Sequence, residues 1–196
     1  METRTYLKID VNIEEFPEEI VDFIPGLIDK INYKKRVAAR RGLISMGKNI
    51  LPYMYKLLAS KDYTLRREAG KIIELIPDKR SIPVLLNLLS DDDESGMRWI
   101  ASEGLVKIGR DSIVPLLKAL VKCNSTYYIE QAAHHVFIAL FTPEEKEELK
   151  NLMISLHNNL DLESIASVEA AKALRTIFNP KKKLYTMLGL KISLLK

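Results

Sequence analysis

The chain has 196 residues, of which 47% are apolar and 29% charged, with a formal net charge of +4. That length suffices for one substantial core, and no stretch approaches the roughly 18 continuous apolar residues of a membrane-spanning helix. A single cysteine, Cys123, excludes an intrachain disulfide framework and suits a reducing compartment, so the cytoplasm is the expected location.

The first dozen residues read as an extended leader, bounded here at residues 1–15. They contain no apolar run followed by small residues, so a secretory signal is not expected. Phe16-Pro17-Glu18-Glu19 is a helix start, with proline early and acids in the first turn. Ile20, Phe23, Ile24, Leu27, Ile28 and Ile31 follow at helical spacing, and Pro25 predicts a late start or a kink.

From residue 33 the chain repeats. Arg36-x-x-Ala39-x-x-x-Leu43 returns as Arg66-x-x-Ala69-x-x-x-Ile73 and Arg98-x-x-Ala101-x-x-x-Leu105, with weaker copies at Ala132/Val136 and Ala170/Leu174. Proline recurs in phase at Pro52, Pro83 and Pro115, with spacings of 31 and 32; the first three alanines are spaced 30 and 32 apart. Such a period is what stacked helix pairs produce. The pairs are expected near 33–46 and 50–59, 63–76 and 81–89, and 95–108 and 112–122. Gly47, Pro77-Asp78-Lys79-Arg80 and Gly109-Arg110-Asp111 separate their members. Apolar faces are expected at Leu51, Met54, Leu57 and Leu58; at Ile82, Leu85, Leu86 and Leu89; and at Ile113, Leu117, Leu120 and Val121. The recurrent alanines let neighbouring helices approach closely.

A fourth unit starts near 127–140. Thr142-Pro143-Glu144-Glu145 then starts a longer helix through Leu149, Leu152, Met153 and Leu156. A fifth first helix spans about 163–177. Lys181-Lys182-Lys183 and the leucines from Leu184 to Leu195 are expected to close the stack.

These repeats resemble HEAT repeats, and most closely the short bacterial-type variant of phycobilin lyase-like proteins. The resemblance is carried by Leu65-Arg66-x-x-Ala69, Met97-Arg98-x-x-Ala101, Ser81-Ile82-Pro83-Val84-Leu85-Leu86 and the acidic run Asp91-Asp92-Asp93-Glu94, and it covers residues 33–178. It implies an all-α fold, a right-handed α–α superhelix of about five helix pairs with atypical terminal units. Residues 16–196 would form one solenoid, clearest over 33–122. The resemblance also implies a protein-binding scaffold more often than an enzyme. Some relatives act in bilin attachment, and a related group excises alkylated bases from DNA; fold alone does not choose among these.

Asn32, Asp62 and Glu94 each stand four positions before an arginine, Arg36, Arg66 and Arg98. The resemblance suggests that the acid meets the arginine, and the spacing also lets Asp62 and Glu94 cap free N–H groups. These arginines, with Ala39, Ala69, Ala101, Pro52, Pro83 and Pro115, are read as structural repeat positions. Superposing the prolines aligns Tyr55, Leu86 and Lys118, and beside them Lys56, Asn87 and Ala119. The second helices are expected to line a concave face, where Tyr53, Tyr55, Lys56, Asn87 and Lys118 form a candidate partner-binding groove.

Charge is uneven. Residues 1–30 carry 3 basic and 8 acidic side chains, so −5, whereas residues 31–71 carry 11 and 2, so +9. Lys34, Lys35, Arg40, Arg41, Arg67 and Lys71 form a candidate anion-binding region, and DNA or RNA is the alternative partner to a protein. No chemistry is expected elsewhere. His134 and His135 are adjacent and His157 distant, which is no zinc spacing. Phosphate-loop, Cys-x-x-Cys and nucleophile-elbow motifs are absent. Cys123 and Trp99 are expected in the core. No cofactor is implied, and the chain is read as non-enzymatic.

Overall fold

A computed structural model describes residues 10–91, 94–122, 127–158 and 165–177; among these described residues all regular elements are helices. Residues group into two compact units, Met1–Ile108 and Gly109–Lys196. Within each, successive helices pack as pairs, giving an all-α helical-repeat array.

The first unit opens with two single-turn helices, α1 (Glu18–Val21) and α2 (Ile24–Leu27). Pro17 precedes α1 and Pro25 lies in the first turn of α2, so the expected continuous helix is divided. Phe16, Ile20, Ile24 and Leu27 are buried, but Ile31 is 97% exposed. The apolar face stops early because the chain leaves the helix: Asp29 Oδ1 accepts hydrogen bonds from the N–H groups of Ile31 and Asn32 at 3.1 and 2.8 Å.

Three first helices follow the repeat: α3 (Tyr33–Ser45), α5 (Tyr63–Leu75) and α7 (Ser95–Ile108). The side chains of Asn32 and Asp62 cap α3 and α5, accepting from Lys35 N and from Thr64 N and Leu65 N. The following arginines satisfy the turn's carbonyls instead of pairing with these caps. Arg36 donates to Asp29 O, and Arg66 to Ser60 O at 2.9 Å and Lys61 O at 3.2 Å. Each guanidinium also lies over the first ring of its helix, Tyr33 at 5.6 Å or Tyr63 at 5.7 Å. Asp62 meets Lys30 instead, at 3.1 Å.

A single 3-10 turn joins each first helix to its second. These turns are Gly47–Ile50, Lys79–Ser81 and, at the start of the second unit, Gly109–Ser112. Gly47 and Gly109 adopt φ of 73° and 85°, where a side chain would strain the backbone. The middle turn has no glycine and is held by Asp78, which accepts from Arg80 N at 2.9 Å and from the Arg80 guanidinium at 2.9 and 3.0 Å. Helices α4 (Leu51–Leu57), α6 (Ile82–Asp91) and α8 (Ile113–Lys122) follow.

In the first unit α5 packs on α3, α4 and α7, and α6 on α7. The cores of α4 and α6 are Leu51, Met54, Leu57, Ile82, Leu85 and Leu89; Leu58 and Leu86 are half-buried. Ala39, Ala69 and Ala101 are buried at these junctions.

The second unit places α8 against both α9 (Tyr127–Leu140) and α12 (Ile165–Ile177), with α11 (Lys150–Asn158) against α9 and α12. On α8 the buried face is Ile113, Leu116, Leu117 and Leu120, while Val121 is exposed, one residue past the helical stripe. Thr142 and Glu145 form a reciprocal capping box that starts α10 (Pro143–Glu148). The expected long helix breaks at Leu149, whose φ of −105° and ψ of 23° leave the helical range, and α11 starts after it. Residues 1–9, Asp92, Asp93, Cys123 and the tail from residue 178 lie outside the described residues.

Candidate binding surfaces

Helix α4 buries Leu51, Met54 and Leu57, which turns Tyr53, Tyr55 and Lys56 outward. The chain's own N-terminal segment lies against them. Asp10 accepts hydrogen bonds from Ser60 Oγ and Lys61 N, both at 2.7 Å, at the end of α4. Glu15 pairs with Lys56 Nζ at 2.6 Å. Phe16 sets its ring edge-on to Tyr53, 5.1 Å between centroids, with Lys56 Nζ 5.8 Å from the Phe16 ring. Both carboxyls are held below their usual range, Asp10 by the Ser60 and Lys61 hydrogen bonds and Glu15 by Lys56.

Of the groove residues expected from sequence, Tyr53 and Lys56 therefore come together beneath Phe16. Tyr55 shares a hydrogen bond with Ser81, and Asn87 is exposed farther along α6. Lys118 is exposed on α8, in the other unit. Pro52 and Pro83 are exposed and Pro115 is half-buried, each in the first turn of its helix. The role of the N-terminal segment was invisible in the sequence; its acidic excess over residues 1–30 was the one available signal.

The expected basic region separates into parts. Lys34 and Arg41 are exposed on α3, and Lys35 pairs with Asp29 at 3.6 Å. Arg40 is buried and donates to Glu68 Oε2 on α5. Arg36 Nε and Arg67 Nη1 lie 3.9 and 3.8 Å from Glu68 Oε1. Lys71 follows on α5, where burial and then the charges of Arg67 and Arg40 make its ammonium more acidic than usual.

In the second unit, packing of α9 on α11 brings His134 and His157 to 5.2 Å between ring centroids. Sequence separation concealed this meeting. A nearby cleft of about 270 Å³ is lined by Glu130, Asn151, Ile154, Ser155, Ile165, Ala166 and Glu169. Its Glu169 carboxylate is engaged by Lys172 at 2.6 Å. Among the described residues no three His, Cys, Asp or Glu side chains come together as metal ligands, and no helix is long and apolar enough to cross a membrane. Trp99, expected in the core, is 58% exposed on α7. Its neighbours Met97, Ile100 and Ala101 occupy the buried stripe, so its own position points away.

Comparison with curated proteins gives no match. Residues 23–136 match the family described as HEAT repeats, a span that includes the three Arg-x-x-Ala signatures and all three in-phase prolines. Together with the succession of packed helix pairs, that match establishes that the chain belongs to the HEAT-repeat family.

Proposed function

We propose that this chain is a non-enzymatic protein-binding module whose α4 face takes a short acidic segment carrying an aromatic side chain. The supporting observation is the chain's own segment from Asp10 to Phe16, which supplies a carboxylate to Lys56 and a ring to Tyr53. A face that holds such a segment in cis has the chemistry to hold a similar one in trans. In this reading the segment competes with the partner, and the protein works in the cytoplasm as an adaptor.

A labelled peptide with the sequence Asp-Val-Asn-Ile-Glu-Glu-Phe, titrated with the full chain, tests this by fluorescence anisotropy. Removing two exposed anchors with Asp10→Ala and Glu15→Ala weakens the internal competitor. Peptide binding should then tighten by about tenfold. Lys56→Glu should abolish it. Indistinguishable titrations for all three proteins would overturn the reading.

A further inference from the structure

The cations of α3 and α5 outnumber the carboxylate they surround. Glu68 is 1% exposed and receives one hydrogen bond, from Arg40; its Oε1 accepts none. Arg36 and Arg67 approach that oxygen without bonding to it, at 3.9 and 3.8 Å. Arg36 already donates to Asp29 O, whereas the Arg67 guanidinium makes no hydrogen bond to a described residue. Lys71 stands one helical turn beyond Arg67 on the same face of α5, with no carboxylate within 4.0 Å among the described residues. The nearest further acid on this face, Glu74, is engaged by Lys107 at 2.5 Å. Three guanidiniums thus share one carboxylate, with the Lys71 ammonium beside them, in partly desolvated surroundings where like charges repel more strongly than in water. Burial and the charges of Arg67 and Arg40 acidify Lys71, as that repulsion requires.

We propose that Arg67 and Lys71, backed by the buried Arg40, form a binding site for one phosphate-class oxyanion. Arg67 offers a planar pair of donors to two anionic oxygens and Lys71 a compact charge to a third. The bound anion relieves the repulsion that Glu68 alone leaves. The site is a point, not a track. Lys34 and Arg41 share one face of α3, but helical rotation places it roughly 130° from the face of Arg36 and Arg40. The basic residues of the sequence therefore do not line up to follow a nucleic-acid backbone. Free phosphate and a phosphate monoester on a partner peptide offer the same chemistry. The site is separate from the α4 face and does not rest on the proposal made for it.

Calorimetric titration of the full chain with inorganic phosphate, against chloride at equal ionic strength, tests the site. A phosphoserine peptide and its unphosphorylated twin form a second arm. The expected result is saturable phosphate binding that weakens by about tenfold or more in Arg67→Gln and in Lys71→Gln, each of which removes a charged hydrogen bond. Lys71→Arg should retain binding, and so should Lys56→Glu, which disables only the α4 face. Tighter binding of the phosphopeptide than of free phosphate would identify the partner-borne source; the reverse would identify the free ion. No heat beyond chloride, parental binding by both glutamine variants, or equal loss in Lys56→Glu would overturn the proposal. So would saturation by random-sequence duplex DNA at lower phosphate concentration with steep salt dependence.

Discussion

The hydroxyl of Tyr55 on α4 shares a 2.7 Å hydrogen bond with the hydroxyl of Ser81, in the turn that leads into α6. Ser81 is fully buried, so Tyr55 ties one helix pair to the next from a position that repeat register marks as partner-facing. Tyr55→Phe keeps the ring but leaves the Ser81 hydroxyl short of a partner. A loss of about 1–2 kcal/mol is expected, read as a lower urea midpoint with unchanged slope. An unchanged midpoint would mean that water replaces the phenol at no cost.

The Arg40–Glu68 pair makes a sharper demand. Glu68→Gln removes the one carboxylate from beneath Arg36, Arg40 and Arg67, leaving buried cations uncompensated. Breaking such a pair costs about 3–5 kcal/mol. Replacing both partners, Arg40→Met with Glu68→Leu, should recover part of that loss, because the buried guanidinium and its desolvation cost leave together. Urea unfolding of Arg40→Met, Glu68→Leu and the double variant gives the coupling. Additive losses would show that Arg40 and Glu68 act independently.

Much of the fold was legible because it is local and repeated. Alanine and proline in phase located the three first helices and the three second helices of the array within a residue or two. What escaped depended on which chemical partner a side chain finds. Asp62 was readable as a cap, yet Arg36 and Arg66 turned to backbone carbonyls, which carry no sequence signature. Arg40 looked like a surface cation until Glu68, 28 positions on, met it inside the protein. The same holds for the candidate binding face: Lys56 was nominated from register and Tyr53 as an aromatic on the same helix, but Phe16 and Glu15, which lie against them, come from a segment outside the repeat. Trp99 was misplaced because composition favours burying tryptophan, while the periodicity of α7 spends its buried stripe on smaller neighbours.

The repeat alanines can be tested against their own sequence neighbours. Ala69 is fully buried on α5, which packs against α3, α4 and α7, whereas Ala38 is exposed on α3. Leucine and alanine have similar helix propensities, so the two substitutions separate packing from propensity. Ala69→Leu should lose roughly 1–3 kcal/mol through overpacking, and Ala38→Leu should stay within about 0.5 kcal/mol of the parent. Equal melting temperatures would contradict close helix approach at Ala69.

His134 predicts a pH dependence in the second unit. Burial first, and then the neighbouring charges of His157 and His135, lower its pKa from the ordinary value of 6.5. In the folded chain His134 therefore takes up a proton at lower pH than it does when unfolded. As pH falls below about 6.5, the unfolded chain binds more protons and gains stability relative to the folded one. The loss begins as pH falls through about 6.5 and levels off beneath the depressed folded pKa. Acidic groups add their own slope, so the informative quantity is a difference. Melting temperatures of the parent and of His134→Gln, compared from about pH 8 down to about pH 5.5, should separate on acidification, the parent falling relative to the variant. Parallel curves would show that His134 titrates alike in the folded and unfolded states.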